Sequence, residues 1–148
     1  MKPRKSKSLR GNLLKQCDTL IRKILLHERG DTCQLCGKRQ KDLHFALSLF
    51  HILEKGIYPG IRYHRDNLLL ACWSPKKYYY MPYCHNLWHH NKDRIKPKVI
   101  ELCGENYEER LKILDKKGMR TNSFNLMLLK VALQQELKKL EDRGENDK

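Results

Sequence analysis

The chain has 148 residues, 31 of them Lys or Arg against 17 Asp or Glu, for a formal charge of +14 at pH 7. That length argues for one domain, small enough to gain from a metal staple, and positive charge spread over the whole chain favours a polyanionic partner, nucleic acid first. No apolar run approaches the roughly 20 residues that span a bilayer, and the opening Met1-Lys2-Pro3-Arg4-Lys5 lacks an apolar signal region, so the sequence reads as cytoplasmic with no membrane contact. In a reducing compartment, six cysteines with one C-x2-C pair point to metal and not to disulfides.

Residues 1–11 are basic and nearly free of apolar side chains, which predicts a flexible arm. From Asn12 onward Leu13, Leu14, Cys17, Leu20, Ile21, Ile24 and Leu25 recur at helical spacing, with Gly30 as the stop. Cys33-Gln34-Leu35-Cys36-Gly37 reads as a zinc knuckle, because two thiolates two residues apart supply half a tetrahedron and Gly37 relieves backbone crowding. Cys72 and Cys84 complete the four, with His85 in place of Cys84 as the rival. Residues 73–83 stand between them, and Ser74-Pro75-Lys76-Lys77-Tyr78-Tyr79-Tyr80 reads as an inserted basic, aromatic loop.

Two short apolar runs, 47–53 and 68–72, have strand length, and the segment 56–60 with Pro59 between them is turn-forming. A helix opens near Cys84, giving the order β-β-α. Beyond it, Pro97 is expected to start a helix over 99–103 that Gly104 stops, and residues 107–114 form another, ended near Gly118. A last helix, capped by Asn122 or Ser123, carries Leu126, Leu129, Leu133, Leu137 and Leu140 on one face. That face either packs on the domain or pairs with a second copy as a homodimer, and the polar tail from Glu141 is expected to fray. The organisation is an arm over 1–11, a metal-bound domain over 12–118, and a C-terminal amphipathic helix with a polar tail over 119–148.

His51 stands late in the first apolar run, Asn67 directly precedes the second, and His85 and His89 stand at i, i+4, a spacing that lets two imidazoles reach one cation. This order of parts resembles the ββα-metal (HNH-type) nucleases. It implies an α+β fold in which a zinc-stapled ββα-metal core is flanked by N-terminal and C-terminal helices. In such enzymes a histidine at the end of the first strand takes a proton from the attacking water, and a divalent cation held from the helix stabilises charge on the phosphate. Carried onto this chain, His51 is the base, Asn67 fixes its ring or the loop, His85 and His89 hold Mg²⁺ or Mn²⁺, and Zn²⁺ sits on the cysteines.

Residues 33–114 further resemble the bacteriophage lambda NinG (Rap) family of recombination endonucleases. The residues carrying the likeness are the cysteine knuckle, His51, Tyr58-Pro59-Gly60-Ile61-Arg62-Tyr63, Asn67, Cys72, Cys84, Asn91 and Gly104-Glu105. The resemblance implies metal-dependent phosphodiester hydrolysis in branched DNA, such as Holliday junctions and strand-invasion intermediates. Two departures stand out. The second knuckle is expanded, with His85 and not asparagine after its last cysteine, and Phe50 precedes His51 where many ββα-metal nucleases carry Asp or His. The same features also serve a zinc-stabilised DNA-binding module without catalysis, or an adaptor that uses the C-terminal helix.

Overall fold

The computed structural model describes residues 8–75, 77 and 82–148. The predicted arm through residue 7, and Lys76 and Tyr78-Tyr79-Tyr80 of the predicted loop, lie outside the described residues. The first helix, α1 (Leu9–Arg29), starts earlier than apolar content suggests, because the Ser8 hydroxyl caps it by accepting from the Gly11 N–H at 3.1 Å. Arg10 is also tied to the end of the domain, donating to the Thr121 carbonyl at 2.7 Å and hydroxyl at 3.0 Å. Residues 8–11 therefore belong to the folded unit and not to an arm.

Strands β1 (Ser48–His51) and β2 (Leu68–Ala71) pair antiparallel, Ser48 opposite Ala71 and His51 opposite Leu68. Helix α2 (Cys84–His90) follows, and Asn91 alone separates it from α3 (Lys92–Cys103). Pro97 does not start that helix. It lies inside it, where its missing N–H frees only a carbonyl of the exposed first turn, so the helix tolerates it. Helix α4 (Tyr107–Lys116) is followed by α5 (Ser123–Asn146), whose Asn122 side chain accepts from the Asn125 N–H at 2.8 Å. The polar residues from Glu141 continue α5 through Asn146, because propagating a nucleated helix costs little even across the weak helix formers Asp142 and Gly144.

Helices α1 and α5 pack along each other. Leu13, Cys17, Ile21, Ile24 and Leu25 of α1 are buried, as are Leu126, Leu133 and Leu137 of α5, so the leucine face of α5 covers the domain itself. The opposite side of α5 leaves Phe124, Met127, Leu128 and Val131 exposed. The segment between the strands is fastened to α1 by an Arg62–Asp18 ion pair at 2.8 Å and by the Tyr63 hydroxyl, which donates to the Leu14 carbonyl at 3.1 Å. Its Gly60 turn lies so close to Gly118, just past α4, that a Cβ on Gly118 would sit 1.9 Å from the Gly60 carbonyl oxygen. The protein is thus a mixed helix-and-strand domain of five α-helices and a two-stranded sheet among the described residues. Among them no helix is long and apolar enough to cross a membrane.

Candidate metal centre and active-site cleft

The Sγ atoms of Cys33, Cys36, Cys72 and Cys84 all lie within 4.8 Å of one another. A tetrahedral ion with metal–sulfur bonds of about 2.3 Å needs sulfurs about 3.8 Å apart, and Cys36 and Cys72 stand at 3.7 Å. The knuckle is shaped locally: the Gly37 N–H closes onto the Cys33 carbonyl at 2.9 Å, with Gly37 at a φ of 77° that suits glycine. Gln34 docks it on β2, its N–H donating to the Leu70 carbonyl at 2.9 Å and its side-chain oxygen accepting from the Leu70 N–H at 2.9 Å. Cys84 enters from the first turn of α2, where its N–H points to the Cys72 sulfur at 3.3 Å.

Crowding shifts three of these thiols apart. The Cys33 thiol is held well below its usual range because Cys72 and Cys84 direct hydrogen bonds at it. Cys72 is pushed up to about 12 and Cys84 is pushed up as well, each foremost by its hydrogen bond with Cys33. Protein atoms alone favour one thiolate among neighbouring thiols, whereas a cation lets all four ionise together. The donor set therefore fits a bound metal such as zinc. Among the described residues this is the group of three or more Cys, His, Asp or Glu whose donor atoms converge, and His85 is not part of it, which leaves Cys84 as the fourth member.

Ser74, two residues after Cys72, and Asn86, two residues after Cys84, are joined beside this centre. The buried Asn86 accepts from the Ser74 N–H at 3.0 Å and donates to the Ser74 carbonyl at 3.2 Å and hydroxyl at 2.7 Å. The cysteines and this clamp together fix where α2 begins.

From that start, α2 carries His85 and His89 toward the end of β1. A cleft of about 330 Å³ opens there, lined by Leu49, His51, Glu54, Lys55, Gly56, His85 and His89. Among the described residues the sheet has two strands, so β1 is paired by another strand along one edge only. The rings of His85 and His89 are 5.1 Å apart between centroids. Phe50 is fully buried against His85 at 5.2 Å and Trp88 at 5.4 Å, so the residue before His51 is core and offers no ligand.

His51 Nε2 lies 3.0 Å from the Arg62 carbonyl oxygen. A carbonyl only accepts, so Nε2 carries the proton and Nδ1 keeps the lone pair. Burial, then the charge of Lys55, pushes the His51 pKa down to about 4, so the ring is neutral at pH 7. Burial followed by His89 and His51 lowers His85 to about 4 too. His89 is lowered chiefly by burial, and Glu54 acts on it in the opposite direction. All three imidazoles are thus in the form that can bind a cation or take a proton.

Asn67 is fully buried, and its side-chain hydrogen bonds go to residues other than His51. Its side-chain oxygen accepts from the Leu53 N–H at 2.7 Å, and its amide donates to the carbonyls of Leu53 at 3.1 Å and Ile61 at 3.4 Å. Ile61 precedes Arg62, whose carbonyl holds His51, so Asn67 fixes the loop that orients the histidine. Of the two roles expected for this residue, the loop is the one with contacts.

Glu54, Lys55 and Ser48 are contributors that sequence reasoning did not single out, and Arg62 stood there only inside a motif, with no role of its own. Their only local signal is polarity beside a strand or in a turn, which most surface segments share. The i, i+4 histidine spacing and the C-x2-C pair, by contrast, are rare enough to stand out. No protein-family model matches this chain, and no curated protein or solved structure is detectably similar to it.

Proposed function

We propose that the chain is a metal-dependent DNA endonuclease of the ββα-metal (HNH-like) kind, acting on branched DNA, with a structural zinc on Cys33, Cys36, Cys72 and Cys84. The observation that carries this reading is the meeting of His51, His85 and His89 in one cleft beside the cysteine centre. The three come from two elements that the cysteines and the Asn86 clamp hold in register. A net charge of +14 supports a nucleic-acid partner, and Lys55 in the cleft suits a phosphate. The preference for branched DNA rests on the resemblance to the NinG family.

His51 Nδ1 takes a proton from the water that attacks phosphorus, while the Arg62 carbonyl holds the Nε2–H and stabilises the imidazolium that forms. His85, His89 and Glu54 line the cleft and are the residues that would hold a divalent cation, Glu54 supplying the carboxylate that Phe50 does not; their donor atoms do not converge as the four sulfurs do, so the side chains would have to close on the ion. Such a cation, Mg²⁺ or Mn²⁺, would supply charge stabilisation at the phosphate and the leaving oxygen. Lys55 draws the DNA backbone to the cleft. A second copy pairing through α5 would have to use Phe124, Met127, Leu128 and Val131, since the leucine face is covered by α1.

The test is nicking of a labelled four-way junction beside linear duplex, with Mg²⁺ or Mn²⁺, by parent and His51→Ala. Parent cleavage of the junction that falls by about 10²- to 10⁴-fold in the variant, with DNA binding retained, is expected. An inactive parent that binds both DNAs would favour a binding module without catalysis, and equal cleavage of both DNAs would remove the branched-DNA specificity.

A further inference from the structure

Ser48, the first residue of β1, stands between β2 and α2. Its Oγ is 3.0 Å from the Ala71 carbonyl oxygen and 2.6 Å from His85 Nδ1. A serine hydroxyl has one proton, and a carbonyl oxygen can only accept. With that proton on the Ala71 carbonyl, the short contact to His85 is an Nδ1–H donating to Oγ. His85 Nε2 then keeps its lone pair.

The rest of the residue is gripped as closely. The His85 backbone N–H donates to the Cys72 carbonyl at 3.0 Å, so two consecutive carbonyls at the end of β2 anchor the backbone of His85 directly and its ring through Ser48. The edge of the ring system packs on Phe50 at 5.2 Å, which limits rotation. Cys72 is also one of the four converging cysteines, so the metal centre and the cleft share this stretch of backbone.

We propose that Ser48 is a positioning residue that holds His85 as its Nδ1–H tautomer, so that Nε2 is the lone pair offered to the cleft. An imidazole offers a cation one nitrogen only, and the hydrogen bond made by the other decides which one. Without the hydroxyl, His85 loses the partner that distinguishes its two nitrogens. The inference rests on the cation reading of the cleft for its purpose, but the tautomer can be read without any cleavage.

The experiment uses full-length protein with its cysteine-bound metal in place and ¹⁵N-labelled histidine. Two-bond ¹H–¹⁵N correlation spectra report the tautomer of His85, and Mn²⁺ titration reports affinity, for the parent, Ser48→Ala and Ser48→Thr. The parent and Ser48→Thr should show an unprotonated Nε2 and similar Mn²⁺ affinity. Ser48→Ala should show a protonated or mixed Nε2 and bind Mn²⁺ about 10- to 100-fold more weakly, with cysteine-bound metal content unchanged. A parent with Nε2 protonated, or a Ser48→Ala variant that keeps the parent tautomer, overturns the proposal. A tautomer that depends on Ser48 in a protein that binds no Mn²⁺ upholds the role of Ser48 and defeats the cation reading instead.

Discussion

Asn67 is the residue whose replacement separates a brace from a catalyst most clearly. Its side chain is fully buried and makes three hydrogen bonds, one accepted from the Leu53 N–H and two donated to the carbonyls of Leu53 and Ile61. Asn67→Ala strands a donor that has no other partner, for about 1–3 kcal/mol, and weakens two carbonyls for roughly 1 kcal/mol between them. The expected loss is therefore about 3 kcal/mol, large beside a typical domain stability of roughly 5–15 kcal/mol. Asn67→Asp keeps the acceptor for Leu53 but sets a carboxylate oxygen where the amide faced two carbonyls. Its folded pKa is then raised, so the deficit relative to the parent should shrink as pH falls and the acid can donate. Urea denaturation at equal metal content, followed by Trp fluorescence and helical signal, measures both variants. Asn67→Ala within about 0.5 kcal/mol of the parent, the usual effect of a surface substitution, would show that the amide network does not brace the loop.

Three further outcomes are expected. If the four cysteines hold a metal, its chelation, or Cys84→Ser, should lower the melting temperature and remove much of the helical signal, because metal binding would supply folding free energy; an unchanged melt in metal-free protein would refute this. His51 and His85 fold with pKa values of about 4 against an ordinary 6.5, so the unfolded chain binds more protons between those values. Stability should rise with pH across that window and be lost as pH falls through it, by up to about 3 kcal/mol per histidine. His51→Gln and His85→Gln should flatten the slope relative to the parent, and parallel slopes would refute it. Gly118→Ala should destabilise by about 3 kcal/mol or more, since its Cβ would meet the Gly60 backbone at 1.9 Å, whereas Gly56→Ala, with open space around it, should be nearly neutral. Equal urea midpoints for these two variants would show that the close approach can relax.

Local pattern alone located α1, α2, α4 and α5, a cap at Asn122 or Ser123 that the structure gives to Asn122, and the two apolar runs that become β1 and β2. Each depends on side-chain periodicity or capping within a few residues. The cysteine knuckle was legible for the same reason, since two ligands two residues apart are fixed by one turn. The start of α1 and the length of α3 were read less well, because a Ser8 cap and a tolerated interior Pro97 outweigh apolar content and proline statistics.

What only the tertiary structure decided is how separate segments meet. It chose Cys84 over His85 as the fourth sulfur-site residue, because the first turn of α2 turns the cysteine to the knuckle while the Ser48 and Cys72 contacts hold His85 on the cleft side. It assigned Asn67 to Leu53 and Ile61 instead of to His51, and the leucine face of α5 to α1 instead of to another copy. It also brought Glu54 and Lys55 back beside His51 through a turn, where nothing in their spacing marks them. Long-range hydrogen bonds and buried contacts set these outcomes, and they depend on which surfaces the folded chain presses together, a property that no short stretch of sequence contains.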